Sequence, residues 1–325
     1  MPTGPVLLLD SASLYYRSFH ALPESMTAPD GRPHNAVRGF LSTLTRLVAQ
    51  HRPSAVVCCW DDDWRPAWRV DLLPSYKTHR LAAEADADGR PTDAGAQRPP
   101  AEAAPDSLAD QAEAISEIVT AMGLARLGAP GFEADDIIAT LASNGAGSTI
   151  VVSGDRDLVQ VIRPGVGVLL TVNGGMDKWP LLDDEAVVER FGVPASRYVD
   201  LAVLRGDPSD GIPGVPGIGP KTAVALIAKY GSLDALLDAV ERGDDSKPLT
   251  PRLASLLDEH RDLVGRMRLV ASARTDAPFV AADVQAREIR SEVLAGLATT
   301  WGVTRFVDEA LHALASVRTA QTVDE

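Results

Sequence analysis

Three short aliphatic runs in this chain each stop at an aspartate, and this arrangement restricts the possible folds more than any other feature. Val6 to Leu9 runs into Asp10, Ala55 to Trp60 into Asp61-Asp62-Asp63, and Thr149 to Val152 into Ser153-Gly154-Asp155-Arg156-Asp157. Short apolar runs bounded by polar residues read as buried strands. Val166 to Val172 adds a fourth, Leu124 to Leu127 a short fifth, and Lys178 to Leu181 an edge strand. Between them, Asn35 to His51, Ile115 to Met122 and Glu133 to Leu141 carry apolar residues at helical spacing. Strands alternating with helices predict a mainly parallel sheet covered on both faces, an α/β fold. In such sheets the loops beyond the strand C-termini meet at one edge, where sites form.

After about Asp183 the strand signal fades. Helices are predicted at Glu185 to Phe191, Arg197 to Leu204, Lys221 to Lys229, Leu233 to Val240, through Leu253 to Leu269, and at Val307 to Ser316. The expected organisation is an α/β core over residues 1–183, with a basic segment and insert at about 64–110. A helical domain over 184–325 then carries a hairpin motif at about 198–230. From Leu81 to Ser107 the chain is rich in Ala, Pro, Gly, Asp and Glu and poor in large apolar residues, so it cannot supply a packed core. No internal repeat of 20–50 residues is evident.

The chain of 325 residues is 45% hydrophobic, enough to bury a large core. The apolar N-terminal run is too short for a signal peptide, and no stretch of about 18 apolar residues predicts a membrane span, so a soluble, cytoplasmic monomer is expected. Its two cysteines, Cys58 and Cys59, are adjacent and form no disulfide or metal framework. The six histidines are scattered, without the helix-spaced pair of a zinc site.

A net charge of −14 is unusual for a chain that binds phosphates. Two features reconcile them. Asp10, Asp61, Glu133, Asp135, Asp136, Asp155, Asp157, Asp207 and Asp210 lie at strand ends, at one helix start and in one loop. One acid at a helix start is ordinary capping. Gathered in one cleft, the set would repel itself unless cations were present. Oxygen donors without His or Cys suit Mg²⁺ or Mn²⁺. Two such ions about 4 Å apart can hold a phosphodiester between them. The second feature is a basic segment, Arg65, Arg69, Lys77, His79 and Arg80, interleaved with Trp64, Trp68 and Tyr76. Lys77 and Arg80 would share one face of a helix and hold the phosphate, and the aromatics would stack unpaired bases. Arg17 follows the first strand's acid and is a further candidate phosphate contact.

The stretch from Gly206 to Ala223 includes Gly217-Ile218-Gly219 and then Pro220-Lys221-Thr222. Glycines allow close approach to a phosphate, and a helix begun at Pro220 presents its N–H groups there. Gly217, Gly219, Lys221 and Thr222 are therefore candidate duplex contacts of a helix-hairpin-helix that grips backbone without reading bases. The carbonyls of Val215 and Ile218 are candidates for K⁺, an expectation tested by exchanging K⁺ for Li⁺ in duplex binding.

Taken in order, these motifs resemble the bacterial 5′-nucleases: the 5′-nuclease domain of DNA polymerase I and the stand-alone flap endonucleases. The carriers are Leu9-Asp10 with Tyr16-Arg17-Ser18-Phe19-His20-Ala21, Trp60-Asp61, Arg69 with Tyr76-Lys77-Thr78-His79-Arg80, Gly131-Phe132-Glu133-Ala134-Asp135-Asp136, Ser153 to Leu158, and Gly206 to Ala223. The resemblance runs from Val6 to about Pro278. It implies a PIN-like core, a helical arch, a duplex clamp of the hairpin type, and two or three Mg²⁺ or Mn²⁺ ions at the matching acids. It also implies DNA with a 5′ flap, nick, gap or 5′ end as partner, with an RNA primer strand as a further one, in replication and repair. Strand-end placement favours Asp61 as the second strand's acid, whereas spacing back from Arg69 favours Asp62. Gly211 stands where the family often has Asn. No polymerase follows, which suggests a stand-alone enzyme. The competing readings are an inert DNA-junction binder and a haloacid-dehalogenase-like phosphatase; the latter needs an acid where Ala12 stands.

Overall fold

The computed structural model describes residues 4–81, 106–145, 147–279 and 281–323. Most of the low-complexity stretch, residues 82–105, lies outside the described residues, and with it much of the expected arch.

Six strands form one sheet among the described residues: β1 (Val6–Asp10), β2 (Ala55–Cys59), β3 (Ala125–Leu127), β4 (Thr149–Ser153), β5 (Val166–Leu170) and β6 (Leu181–Leu182), in the order β3-β2-β1-β4-β5-β6. All neighbours pair in parallel except β5 and β6. The expected edge strand is present but shorter, because Met176–Lys178 forms a 3₁₀ turn instead.

Alternation within each strand divides the core in two. Leu8, Val57, Cys59 and Val151 face one layer, and Leu7, Leu9, Val56, Cys58 and Val152 face the other. The adjacent cysteines thus point to opposite faces and are both buried. Against the second face pack α1 (Ser11–Ala21), α2 (Asn35–His51) and α4 (Asp106–Ala121). The short α3 (Ala67–Leu72) lies within the basic segment and carries Arg69. Against the first face pack α5 (Ala134–Asn144) and then the helical part of the chain: α6 (Asp184–Phe191), α7 (Tyr198–Arg205), α8 (Pro220–Tyr230) and α9 (Leu233–Glu241).

The single helical region expected over Leu253 to Leu269 is two helices, α10 (Pro251–Glu259) and α11 (Arg261–Ala271), broken at His260. The last two helices, α12 (Ser291–Thr300) and α13 (Thr304–Val323), return to the α/β layer, α12 on α4 and α13 on α2. Helix α1 is not among the elements expected from the sequence. It buries only two large apolar residues, Leu14 and Phe19, so its periodicity is faint. No helix among the described residues is long and apolar enough to cross a membrane.

Strand order places β1 between β2 and β4. The chain leaves β1 toward β2 and β3 on one side, then returns to β4 on the other. The crevice outside the carboxyl ends of β1 and β4 is therefore the switch point of the sheet, where open α/β folds bind ligands.

Candidate active site

A cleft of about 740 Å³ opens at this switch point, with Asp10, Asp61, Glu133, Asp135 and Asp155 among its lining residues. Asp10 ends β1 and also caps α1, accepting the Ser13 N–H at 3.1 Å. Its other oxygen accepts the Ser153 hydroxyl at 2.5 Å. Ser153 in turn accepts the Asp155 N–H at 2.9 Å, so one fully buried hydroxyl joins the acids of β1 and β4. Asp61 follows β2 and accepts the Ala134 N–H at 2.7 Å, which ties it to the first turn of α5. Glu133 and Asp135 stand in that same turn, where the helix dipole favours negative charge.

Burial dominates the electrostatics. It pushes the Asp10 carboxyl up to about 7, and the Asp61 carboxylate adds to the effect. Burial, then Asp155 and Asp10, hold Asp135 well above the usual carboxylate range. Asp155 is raised by burial and by Asp210; Asp157 is raised by burial, Asp155, Asp210 and Asp207. Such a cluster is built for counter-charge.

Among the described residues, no three acids, histidines or cysteines converge closely enough to chelate one ion by themselves. The donor set nevertheless fits Mg²⁺ or Mn²⁺. Mg²⁺ retains several waters and takes one or two carboxylates directly, and Asp10, Asp61, Asp135 and Asp155 all line the cleft.

Cations line the cleft beside these acids: Arg17, Lys77, Arg80 and Arg156. The negative total charge therefore coexists with a local cluster of cations. Arg156 was not singled out from sequence, although its position between Asp155 and Asp157 was the available cue. Arg17 also donates to the carbonyls of Val172 and Gly174 and lies over the Trp179 ring. Lys77 and Arg80 do not share an α-helical face as expected. Lys77 is left-handed, with φ of 49°, and precedes a single 3₁₀ turn at Thr78–Arg80. Burial opposes the Lys77 charge, yet Tyr76 and the acids Asp210, Asp61 and Asp135 outweigh it and raise the ammonium pKa.

Several residues expected at the site are held away from the cleft surface by internal pairs. Arg69 and Tyr76, read as DNA contacts, are 3% and 2% exposed. Arg69 pairs with Glu133 and with Asp136, and the Tyr76 hydroxyl donates to Glu133 at 2.6 Å. They hold the basic segment against α5 instead of facing solvent. Asp136, read as a metal ligand, is completely buried and lies off the cleft. It accepts from Arg69, from the Arg274 N–H at 2.8 Å and from the Glu133 N–H at 3.0 Å. Asp207 accepts the Ser209 N–H and hydroxyl and faces Arg205. Asp157 and Asp210 do not line the cleft; the Asp210 charge raises the Asp155 carboxyl, whereas the Asp157 N–H, donating to it, lowers it. Of the two acids that the sequence left open at the second strand, Asp62 forms a two-pronged pair with Arg126, and Asp61 lines the cleft.

The loop between α7 and α8 contributes Ser209 to the cleft and then forms the hairpin. Val215 and Ile218 are buried and anchor it, with the Ile218 N–H donating to the Val215 carbonyl at 3.0 Å. Gly217, Gly219 and Lys221 are exposed, and Thr222 is half-buried. Gly217 has φ of 81°, and nothing lies within 4 Å of where a Gly219 Cβ would stand. The start of α8 is thus open to a ligand backbone.

The raised acids set a direction for stability. Their folded pKa values exceed the unfolded ones, so their stabilising share is complete below about pH 4 and is lost as pH rises, for Asp10 through about 7. In chelator, the melting temperature should fall between about pH 5 and about pH 7.5; Mn²⁺ should restore on the order of 5 °C at the higher pH and less at the lower. Differential scanning calorimetry checks this; a melting temperature indifferent to Mn²⁺ at both pH values would contradict it.

Comparison with known proteins agrees with this architecture. Residues 5–192 match the family described as 5′-3′ exonuclease, N-terminal resolvase-like domain, and residues 193–292 match 5′-3′ exonuclease, C-terminal SAM fold. A Mycobacterium tuberculosis protein named 5′-3′ exonuclease is 45% identical over 316 residues, covering 92% of this chain and 94% of that protein. A Streptomyces coelicolor protein of the same name is 45% identical over 275 residues, covering 84% and 87%. DNA polymerase I of Mycobacterium bovis is 38% identical over 276 residues, which cover 83% of this chain and 28% of the polymerase. Among solved structures, the T5 D15 protein co-crystallised with metal ions superposes with a TM-score of 0.62 at 16% identity, covering 96% of this chain and 99% of that one. The D15 flap endonuclease of bacteriophage T5 in a complex with DNA and metal ions gives 0.60 at 16% identity, covering 96% and 98%. With both parts of the sequence matched and close relatives covered nearly end to end, the chain belongs to the 5′-3′ exonuclease family of nucleases.

Proposed function

We propose that this protein cuts DNA at the base of single-stranded 5′ flaps and trims 5′ ends, by divalent-metal-dependent hydrolysis, in DNA replication and repair. The observation that carries the proposal is the cleft itself. Buried Asp10 at the end of β1 and half-buried Asp61 and Asp155 beyond β2 and β4 share one crevice with Lys77, Arg80 and Arg156, and its wall continues through Ser209 into the exposed hairpin. The family of the chain and the T5 flap endonuclease bound to DNA and metal ions support the same reading.

In this reading Gly217, Gly219 and Lys221 hold the duplex backbone, at an open helix start suited to phosphate. Lys77, Arg80 and Arg156 draw the scissile phosphodiester over the acids and offset its charge. Trp64, which lines the cleft, offers a face for an unpaired base. Mg²⁺ or Mn²⁺ ions held by Asp10, Asp61, Asp135 and Asp155 would lower the pKa of the attacking water and neutralise the leaving oxygen. Water adds to phosphorus in line, the P–O3′ bond breaks, and the products carry a 5′-phosphate and a 3′-hydroxyl. Tyr76 and Arg69 keep Glu133 oriented toward Lys77 throughout.

A 5′-labelled flap duplex tests this. The wild-type protein with Mg²⁺ or Mn²⁺ should release the flap and leave a 5′-phosphate on the duplex, with no reaction in chelator. Lys77→Ala should slow single-turnover cleavage by about 100-fold, the usual worth of an aligned cation in a dry site, while leaving duplex affinity nearly unchanged. Cleavage that persists in chelator, or equal loss of rate and affinity in the Lys77 variant, would defeat the proposal.

A further inference from the structure

Lys77 lies at a joint between the basic segment and the loop that leads to the hairpin, and the joint is made mostly of backbone. The Asp207–Ile212 turn is closed by two bonds: the Asp207 N–H to the Ile212 carbonyl and the Ile212 N–H to the Asp207 carbonyl, both 2.8 Å. Three groups of the basic segment dock on the tip of this turn. The Ser75 hydroxyl donates to the Gly211 carbonyl at 2.7 Å, the Lys77 N–H to the Asp210 carbonyl at 3.1 Å, and the Arg80 guanidinium to the Ser209 carbonyl at 3.0 Å.

Gly211 is what lets the two pieces meet. Its φ is 70°, and a Cβ there would stand 2.1 Å from the Ser75 carbonyl oxygen, 2.9 Å from the Ser75 carbonyl carbon and 3.3 Å from the Lys77 nitrogen. These are backbone atoms and cannot swing aside like the tip of a side chain. Lys77 itself is held at φ of 49°, a conformation unfavourable for a side chain of its kind, so its surroundings must impose it.

We infer that Ser75 and Gly211 are positioning residues for Lys77: they fix the cation in the cleft and tie its placement to the loop that carries the duplex-binding hairpin. The inference rests on the role given to Lys77 above. Neither residue needs to touch DNA. A misplacement of about 1 Å is enough to cost about 100-fold in rate, and a Gly211 methyl group demands at least that shift from the Ser75 carbonyl.

The test is a double-mutant cycle on single-turnover flap cleavage with Mg²⁺, with duplex affinity measured in chelator. Gly211→Ala should slow cleavage by about 100-fold and change affinity by less than about threefold. Ser75→Ala, which removes one hydrogen bond, should slow it about fivefold, and Ser75→Thr should restore it. Because both residues act through Lys77, adding Lys77→Ala to either variant should give a rate no lower than that of Lys77→Ala alone, within about threefold. Penalties that multiply, a Gly211→Ala rate equal to wild type, or affinity lost in step with rate would overturn the inference. If Gly211→Ala fails to fold, the Ser75 variants decide the question by the same criteria. If Lys77→Ala cleaves like wild type, the assigned role of Lys77 falls, and the inference with it; multiplying penalties beside a slow Lys77→Ala overturn the inference alone.

Discussion

Asp155→Asn is expected to bind a 5′-flap duplex normally and to cleave it about 1,000-fold more slowly, a loss of about 4 kcal/mol in the transition state. The substitution is close to isosteric. Asp155 Oδ1 accepts the Asp157 N–H at 2.8 Å, and an amide oxygen can accept it equally well. What disappears is one negative charge in a cluster where burial and Asp210 already disfavour it. In chelator the variant should therefore be no less stable than wild type. Without that charge, the neighbouring acids attract divalent ions less strongly. Quenched-flow cleavage and a binding titration on the same flap duplex measure both quantities. A rate within tenfold of wild type, or a loss of duplex affinity that matches the loss of rate, would show that Asp155 does something else.

Arg69→Ala should be the most damaging single change to stability, about 3–5 kcal/mol, as for other buried pairs stripped of one partner. Arg69 is 3% exposed and faces Glu133, 2% exposed, and Asp136, fully buried. Truncation leaves two acids in the interior with much of their counter-charge gone. It also frees α3 and the basic segment from α5, so Lys77 should lose its alignment. Arg69→Lys should recover only part of the loss, since an ammonium cannot span two carboxylates as a planar fork does. Urea unfolding measures the effect; a change below about 1 kcal/mol would place Arg69 among surface ion pairs, against its observed burial.

Why some of this was visible in the amino-acid order and some was not follows from what each signal encodes. The strands were legible because aliphatic runs stop abruptly at polar residues, and Asp10 and Asp155 were legible with them. The helix α2 was read with its observed limits, Asn35–His51, because its apolar spacing is strong. Charge is visible in a sequence, but burial is not, which is why Arg69 and Tyr76 were read as DNA contacts. The three-residue spacing of Glu133 and Asp136 is that of the capping box they form at the start of α5, and it says nothing of the Arg69 they share. The choice between Asp61 and Asp62 depended on what faces each side chain, the Ala134 N–H for one and Arg126 across β2–β3 for the other. Spacing along the chain carries no such information. The left-handed Lys77 was hidden for a related reason: a joint with Gly211, far away in sequence, imposes it.

The central claim is that the acids at the ends of β1, β2 and β4 share divalent ions over which a phosphodiester is cut. Anomalous diffraction from a Mn²⁺-soaked crystal tests it most directly. The account predicts peaks in the cleft among Asp10, Asp61, Asp135 and Asp155, about 4 Å apart if two ions bind, and their weakening in Asp155→Asn. A well-ordered cleft with no anomalous density among those four side chains would contradict it.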